Sequence, residues 1–502
     1  MSFISAGFFM AMALTACLYY LIPKKYQWEL LLFVSFGFYA TYGIRYMGYI
    51  LFTIITSYCI TRLMAAQKEK LMRRRWLIFG LVSNFGILVF LKYVNFTILN
   101  LTSLFSVFHQ AFPLGKLSIV MPLGISFYTF QTMSYVIDVY QKKYEPETNI
   151  FRLFTAYLPQ LLQGPIGRYD RLAPQLFEPH DFNLKNIEYG AQRIAWGLAK
   201  KLILADRAYV FSKAVFADLN TYSGMYVIVA LLTFSIYEYC DFSGGIDVVI
   251  GVSELFGIRL DENFRQPYFS KSIGEFWRRW HITLGTWMKD YIFYPFSISK
   301  KMLAFGKKAK KIFGKKTGKI LPICAANLLI FFVVGVWHGA AWKYIIYGLY
   351  NGLIIAASNL LKPYYAKWAA VCHVNTESRG WKTFQIFRTF ILVNIGWLFD
   401  ACATATTAFY AMRAVFINFK ISILTDGSLY KLGLVKRDWT ILIVATIILF
   451  ISSVMKEKGM SLRDFVAERP LVVRWAVYLI LIFATAPFGY VSSSTEFMYA
   501  QF

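Results

Sequence analysis

The sequence has little charge and, above all, few acids. Charged residues make up 16% of its 502 residues, whereas a soluble domain carries about 25%. The Asp and Glu number 27 against 53 Lys and Arg, so the formal net charge is +26. Apolar residues reach 58%, and the mean hydropathy is +0.49. This composition excludes a soluble enzyme and indicates a membrane protein with several spans.

The motifs of common soluble enzymes and cofactor sites are absent from the sequence. It contains no G-x-S-x-G elbow, no P-loop and no H-E-x-x-H pair. The six Cys are scattered, mostly in apolar stretches, and none forms a C-x-x-C pair. We therefore predict neither a metal site nor a disulfide framework, and we expect no bound cofactor. No internal repeat is evident, which gives no support to an inverted-repeat transporter.

Long apolar runs are the dominant feature that remains. A membrane-spanning helix needs about 20 mostly apolar residues, whereas a transmembrane barrel needs short alternating segments. The clear candidates are 4–22, 28–44, 47–64, 76–97, 320–337, 343–361, 384–400, 439–455 and 471–489. Segments that also contain Pro, Gly or charge are 118–140, 150–166, 190–204, 224–240 and 243–257. The pattern predicts an all-α polytopic membrane protein with about eleven transmembrane helices and with re-entrant or broken segments from 118 to 300.

Basic residues cluster between the apolar runs, and this predicts an orientation. Lys24-Lys25 follows the first run, and Lys68–Arg75 follows the third. Because Lys and Arg accumulate on the cytoplasmic side, we predict a multi-pass protein of the cell membrane with its N-terminus outside. The loop Lys300–Lys319 holds nine lysines and no acid, so it is also predicted to be cytoplasmic. The same distribution explains the positive charge without a nucleic-acid partner.

One of the five histidines directly follows an apolar run. His338 lies in Val336-Trp-His-Gly-Ala-Ala-Trp342. Ionisable groups inside bilayers are costly and are kept mostly for function. A neutral imidazole can take a proton from a hydroxyl as that hydroxyl attacks an acyl carbonyl. Trp337 would wall an apolar slot beside it, and Gly339 would leave room for a ligand. The alternative is a core histidine bonded to a neighbouring helix.

A second histidine, His281, ends the aromatic and basic stretch Glu275-Phe-Trp-Arg-Arg-Trp-His281. Four large apolar residues of this region share one face at helical spacing: Trp277, Trp280, Leu284 and Trp287. This pattern predicts an amphipathic helix at the membrane interface, with Arg278 and Arg279 at the lipid headgroups. The same helix is also compatible with the floor of a catalytic chamber, His281 facing inward.

Two polar motifs interrupt other apolar runs. Asp241 lies among three acids in Glu238–Asp247. We expect a structural ion pair between Asp241 and Arg278 or Arg279, and a metal site there is the weaker alternative because no histidine lies nearby. Gln163 precedes a Gly-Pro pair that breaks a helix, which suits the wall of a tunnel.

The motifs together resemble the membrane-bound O-acyltransferase (MBOAT) family, in particular its alginate O-acetyltransferase branch. One departure is that the family's Ala-Gly-Pro-Ile-Val reads Gln163-Gly-Pro-Ile-Gly167 here. The matching elements fall in the expected order over roughly residues 5 to 400, and they are Pro122-Leu-Gly-Ile-Ser-Phe-Tyr-Thr-Phe-Gln131, Pro159-Gln-Leu-Leu-Gln-Gly-Pro-Ile-Gly-Arg168, Tyr239-Cys-Asp-Phe-Ser-Gly244, Asn263-Phe-Arg-Gln-Pro-Tyr268, Glu275-Phe-Trp-Arg-Arg-Trp-His281 and Trp337-His-Gly339.

The resemblance implies one MBOAT membrane domain over 1–502, built as a bundle of about eleven helices around a central tunnel. Its parts would be N-terminal helices (1–115), a catalytic core (116–361) and C-terminal helices (362–502). The family's essential histidine maps to His338, and a second active-site histidine maps to His281. Substrate-binding roles are expected for residues of the same motifs, namely Trp337, Gly339, Trp277, Arg278, Arg279, Trp280, Asp241 and Gln163.

The implied activity is O-acetylation of an extracellular or exported polysaccharide. An acyl thioester, either acetyl-CoA or an acyl-carrier protein, would enter from the cytoplasm. The acyl group would then pass to an extracellular or periplasmic SGNH-type acyltransferase partner, with membrane lipids around the chain. The alternatives are D-alanyl transfer to teichoic acids and, in a different class, transport of a polysaccharide or lipid.

Overall fold

The computed structural model describes residues 3–155, 163–490 and 497, and it builds these residues from helices, turns and loops. The N-terminal helices are α1 (Ala6–Leu21), α2 (Gln27–Ala40), α3 (Ile44–Ala66) and α4 (Lys70–Val107). The central helices are α5 (Ile125–Tyr140), α6 (Ile150–Thr155), α7 (Tyr169–Phe177), α8 (Leu184–Ala199), α9 (Asp206–Ala217), α10 (Met225–Leu255), α11 (Ile273–Arg279), α12 (Ile282–Met288), α13 (Tyr294–Ser297), α14 (Lys300–His338) and α15 (Trp342–Val371). The C-terminal helices are α16 (Arg379–Ala401), α17 (Ala405–Ala414), α18 (Lys436–Glu457), α19 (Leu462–Ala467), α20 (Leu471–Phe483) and α21 (Thr485–Phe488).

Short elements of other geometry join these helices. The π-helical turns are Lys200–Ala205 and Lys289–Phe293. The 3-10 turns are Lys24–Tyr26, Pro267–Phe269, Ile421–Leu424 and Ser428–Lys431. Across the described ranges the single strand-like feature is an isolated antiparallel bridge between Phe264 and Trp280.

Six helices within the described part of the chain are long and apolar enough to cross a membrane: α3, α4, α10, α14, α15 and α18. Helices α1 and α20 are apolar but shorter. The prediction of an all-helical membrane protein is confirmed. Length and composition identify these six candidate spans among the described residues, which is fewer than the predicted count of about eleven.

Several predicted segments have different bounds in the structure. Segments 224–240 and 243–257 form the single helix α10, which stays helical through Gly244 and Gly245. In segment 118–140 the helix begins only at Ile125, because Gly124 before it has a left-handed φ of 72°. Segment 150–166 is helical as far as Thr155, its residues 156–162 lie outside the described residues, and residues 163–166 are not helical.

The lysine-rich segment Lys300–Lys319 was predicted as a loop, and it is helical instead. Lys, Ala and Met are good helix formers, and the segment forms the first half of α14. Gly314, with φ 78°, interrupts the helix, and Gly318 then packs against the backbone of Lys310. All nine lysines are exposed. We call residues 300–319 the lysine hairpin.

Helices α8 and α10 approach each other closely at glycines. A Cβ built on Gly197 would lie 2.6 Å from the carbonyl oxygen of Gly244, so no larger residue fits there. Small residues at such crossings are typical of membrane helix pairs, because dispersion contacts replace the hydrophobic effect in lipid. This contact fixes α10, which carries Asp241 and Phe242 towards the centre of the protein.

Helices α14, α15 and α16 are joined by short connections, so each runs antiparallel to the next. A Cβ on Gly335 would lie 2.4 Å from the carbonyl oxygen of Tyr344, which shows how closely α14 and α15 pack. Consequently His338, at the end of α14, and Lys343, near the start of α15, lie at one end of the bundle. The lysine hairpin and the start of α16 lie at the other end.

Candidate active site

His338 is the last residue of α14, and its side chain lies among aromatic rings. The residue is 4% exposed. Its ring centroid lies 5.1 Å from that of Trp337, 6.2 Å from that of Tyr344, on which it stacks, and 5.7 Å from that of Tyr347. Gly339 follows in an extended conformation, and a Cβ there would lie 2.6 Å from Cδ2 of the Tyr344 ring. The glycine is therefore needed for the aromatic contact of His338.

His281 lies at a break between two short helices rather than inside one. It has a left-handed φ of 46°, which separates α11 from α12. The prediction of one continuous amphipathic helix through this region is therefore wrong. Non-glycine residues adopt this backbone only when surrounding contacts enforce it, and such residues cluster at functional sites.

Asn263 provides the contacts that hold this break. Its carbonyl oxygen accepts a hydrogen bond from the Ile282 amide at 3.0 Å, and its Oδ1 accepts from the Thr283 amide and hydroxyl at 3.0 and 2.9 Å. Nδ1 of His281 lies 3.3 Å from the same Oδ1. The Thr283 hydroxyl accepts a hydrogen bond from the Ile166 amide at 3.0 Å. Asn263 thus positions His281 against the Gly-Pro segment.

Trp337 connects the two histidines. Its ring centroid lies 5.7 Å from that of His281 and 5.1 Å from that of His338. Phe127 and Phe242 complete the aromatic wall, with their ring centroids 6.5 and 4.9 Å from that of His281. The indole N–H of Trp337 is buried and has no hydrogen-bond partner among the described residues. It is a candidate donor to a bound ligand.

Burial also determines the charge of His281. The ring is excluded from solvent, which lowers its pKa well below the ordinary value, and the nearby ring of His338 lowers it further. His281 is therefore neutral at physiological pH. A neutral imidazole at His281 and an apolar aromatic wall suit proton transfer to or from a substrate hydroxyl.

Lys92 and Tyr93 of α4 hold the backbone beside His338. The Lys92 ammonium donates to the carbonyl oxygen of Trp337, and the Tyr93 hydroxyl donates to that of Val336. Lys92 also lies over the Trp337 indole, 5.7 Å from the ring centroid. The sequence analysis did not identify Lys92 as a site residue. A lysine inside an apolar run is costly and is kept mostly for function, so its position in the run 76–97 could have indicated this role.

Other residues of the His281 motif belong to the scaffold around the site. The Trp277 indole N–H donates to Asn351 Oδ1 at 3.0 Å, and Trp280 packs on Trp397 with ring centroids 5.2 Å apart. Arg279 bonds Glu457 at 2.7 Å and also pairs with Glu275, so it does not project to lipid headgroups. Its neighbour Arg278 is exposed.

Asp241 forms the structural ion pair that was expected, but with a different partner. Its Oδ1 lies 2.6 Å from Nζ of Lys201, which also pairs with Asp206 at 2.9 Å, and all three side chains are buried. The pairing with Arg278 or Arg279 is therefore wrong, because the π-helical turn at Lys200–Ala205 brings Lys201 to α10 first. No group of three metal-ligating side chains occurs within the described ranges.

Gln163 is fully buried against α10. Its side-chain amide lies so close to Gly245 that a Cβ there would be 2.1 Å from Nε2. Neither polar atom of the amide has a hydrogen-bond partner among the described residues. A buried amide in this state costs free energy unless a ligand or water completes its hydrogen bonds, so Gln163 remains a candidate ligand contact.

Comparisons with known proteins agree on one family. The model of "MBOAT, membrane-bound O-acyltransferase family" matches residues 150–395, a range that contains both histidines. The probable alginate O-acetylase AlgI of Azotobacter vinelandii is 31% identical over 88% of this chain and 81% of its own length. The peptidoglycan O-acetyltransferase of Helicobacter pylori is 28% identical over 79% and 74%. The teichoic acid D-alanyltransferase of Bacillus subtilis is 30% identical over 49% and 60%.

Proposed function

The chain belongs to the membrane-bound O-acyltransferase family and is a membrane-bound acyltransferase, and from that premise we propose that it O-acetylates an extracellular or exported polysaccharide. The observation that carries the proposal is the pair of buried histidines on either side of Trp337. Family membership also removes the transporter alternative. The names of the O-acetylating relatives, which match most of this chain, favour an acetyl group over D-alanine.

His338 is the proposed catalytic base. It takes the proton of the acceptor hydroxyl while the hydroxyl oxygen forms a bond to the acyl carbon of the thioester. The carbon–sulfur bond then breaks, and the proton passes to the departing thiolate. His281, held by Asn263, positions the donor or assists this proton transfer. The buried Trp337 N–H is placed to stabilise the oxyanion that develops at the acyl carbonyl.

The proposed sidedness follows from the positions of the basic clusters. The lysine hairpin lies at the end of the bundle opposite His338 and Lys343, and Lys and Arg accumulate in the cytoplasm. The donor thioester therefore enters from the cytoplasmic side of the cell membrane, and the acceptor enters from outside. In this arrangement the N-terminus lies outside, and about eleven helices surround a central tunnel in which the substrates meet.

The donor is acetyl-CoA or an acetylated carrier protein. The acceptor on the outer side is an SGNH-type acyltransferase or the polysaccharide that it modifies. Neither a resident cofactor nor a metal takes part in the proposed transfer.

The test is acyl transfer by the purified protein in proteoliposomes. We would supply labelled acetyl-CoA on one side and a polysaccharide with its SGNH-type partner on the other, and count label in the polymer. Acetylation that disappears in His338→Ala supports the proposal. Transfer of D-alanine from its carrier protein, without acetyl transfer, would support the D-alanyl alternative instead.

A further inference from the structure

Glu238 is a buried acid that the proposed transfer does not use. It lies in the middle of α10 and is fully buried, and neither of its carboxyl oxygens has a hydrogen-bond donor among the described residues. The group that it contacts is a second carboxyl, that of Asp400 near the end of α16. Burying one acid beside another is costly unless a proton or a cation compensates the charge.

The contact between Glu238 and Asp400 is a hydrogen bond only when one of the two groups is protonated. An ionised carboxylate accepts hydrogen bonds and donates none. Two carboxylates side by side in a buried place repel each other, so such pairs hold one proton between them. With that proton, the pair carries a single negative charge.

Lys343 supplies the matching positive charge. Its ammonium group donates to the backbone carbonyl oxygens of Asp400 and Cys402, at 3.1 and 2.8 Å, where α16 ends. Both carboxyl groups lie near enough to attract it electrostatically. One lysine balances a pair that holds a proton, but it does not balance two carboxylates.

The other titratable groups around the pair do not change this balance at neutral pH. Asp241, one turn along α10, is already paired with Lys201. The remaining groups are five tyrosines and a thiol, which are uncharged at neutral pH: Tyr209 of α9, Tyr237 of α10, Tyr268 of the turn Pro267–Phe269, Tyr344 and Tyr347 of α15, and Cys402, which faces Lys343. The charge balance therefore depends on the shared proton.

Glu238 is tied to the surroundings of His281 through its own helix. Phe242 follows it by four residues, on the same face of α10. The ring centroid of Phe242 lies 4.9 Å from that of His281. A movement of α10 at Glu238 therefore moves the aromatic wall of His281.

Asp400 is tied to the surroundings of His338 in the same way. Trp397, three residues earlier on α16, stacks on Tyr347 with ring centroids 5.9 Å apart. The Tyr347 ring in turn lies 5.7 Å from that of His338. A separation of α10 from α16 would consequently change the distance between the two histidines.

We propose that Glu238 and Asp400 share one proton and that their hydrogen bond holds α10 against α16. This contact sets the spacing of His281 and His338, so the two acids are positioning residues for acyl transfer. Loss of the shared proton at alkaline pH leaves two buried negative charges against one lysine, and the two helices separate. The inference rests on the proposed function for the role of His338 as the base.

The experiment compares two substitutions at one position of the full-length protein in proteoliposomes. Glu238→Gln keeps the shape of the side chain and replaces the shared proton with a permanent N–H donor, whereas Glu238→Met removes donor and acceptor together. At neutral pH, kcat should stay within about two-fold of the wild type in Glu238→Gln and fall about ten-fold or more in Glu238→Met, with little change in KM. The wild-type kcat should fall at alkaline pH, and this fall should move to higher pH in Glu238→Gln.

Infrared difference spectroscopy observes the proton without an activity assay. Between neutral and alkaline pH, the wild type should lose the carbonyl band of one protonated carboxyl group, and Glu238→Gln should not. Glu377→Gln is the matched control, because it changes an exposed acid that pairs with Lys382. It should behave as the wild type does in both measurements.

Three results would overturn the inference. An alkaline fall in kcat at the same pH in Glu238→Gln and the wild type would exclude the shared proton as its cause. A wild-type kcat in folded Glu238→Met would remove the positioning role. Equal losses of kcat and of unfolding temperature in both variants would assign Glu238 to stability alone. A protein that shows the infrared change but transfers no acetyl group would refute the proposed function and leave the shared proton intact.

Discussion

The side-chain ammonium of Lys92 donates a hydrogen bond to the backbone carbonyl oxygen of Trp337, one residue before His338. The contact joins α4, from the N-terminal part of the chain, to the end of α14. It also places a cation beside the indole that contacts both histidines. The geometry of the site therefore depends on a helix that lies outside the range matched by the family model.

Lys92→Met should impair catalysis by releasing the Trp337 backbone. A hydrogen bond from a charged donor contributes about 1.5–3 kcal/mol, so we expect kcat to fall by about ten-fold or more while KM changes little. Lys92→Arg should restore part of the rate because it keeps the donor. The control is Lys70→Met, an exposed lysine at the start of α4. A parallel fall in kcat and in unfolding temperature, without rescue by arginine, would assign Lys92 to stability alone.

His338→Ala should abolish acyl transfer while the protein still inserts and remains folded, because His338 is the proposed base that takes the hydroxyl proton. His281→Ala should slow turnover less severely. Both are measured by label transferred to the acceptor, with protein amount and unfolding temperature as controls. If His281→Ala retains full activity while His338→Ala has none, His281 has a structural role only.

Gly339→Ala tests the aromatic contact of His338. The new methyl group would collide with the Tyr344 ring, which stacks on the His338 imidazole. We expect kcat to fall, since a misplacement of about 1 Å in an active site can cost about 10²-fold. Gly86→Ala in α4 is the matched control, because its new Cβ meets nothing within 4 Å. Activity equal to that of the control would show that the site tolerates a displaced Tyr344.

Asp241→Asn should lower stability and leave acyl transfer by the folded fraction intact. Removing one partner of a buried ion pair costs about 3–5 kcal/mol, and we expect the lower end because Lys201 keeps Asp206. Thermal unfolding in detergent measures the loss. Asp261→Asn, which breaks a more exposed pair with Arg171, should cost at most about 1 kcal/mol. A changed KM in a variant of normal stability would restore the predicted substrate-binding role of Asp241.

Composition and motif order were sufficient to predict the helical membrane class and the family, because apolar runs and short motifs are local properties of the chain. The local structure at His281 was not predictable in the same way. Helical spacing of Trp277, Trp280 and Trp287 predicted one helix, but the side chain of Asn263, 18 residues earlier, imposes a left-handed backbone at His281. The partner of Asp241 was missed for the same reason, since a contact across 40 residues leaves no periodic pattern.

The orientation of the bundle can be tested by cysteine labelling. With the exposed Cys17, Cys59 and Cys372 replaced by Ser, Lys311→Cys adds a reactive thiol to the lysine hairpin. It should react with an impermeant maleimide only after the membrane is opened. Labelling in intact cells would reverse the predicted orientation and exchange the donor and acceptor sides.

The lysine hairpin itself offers two surfaces of different chemistry. Its nine lysines are exposed, and so are the apolar side chains of Leu303, Ile312 and Phe313. A basic amphipathic segment of this kind typically lies on anionic lipid, with each lysine contributing about 1 kcal/mol. It also matches an acidic carrier protein, because complementary charge accelerates encounter and weakens with salt.

Neutralising four of these lysines (Lys307, Lys308, Lys310 and Lys311→Gln) separates the two partners. If the hairpin docks a carrier protein, acyl transfer from the carrier should slow several-fold and lose its salt dependence. Transfer from acetyl-CoA should stay unchanged because acetyl-CoA has no acidic protein surface to dock on the hairpin. The control neutralises another predicted cytoplasmic cluster, Lys68, Lys70, Arg74 and Arg75. Equal effects on both donors, or no effect on either, would exclude docking of the carrier protein. Either result would assign the hairpin to lipid contact, because a lipid contact does not distinguish between the two donors.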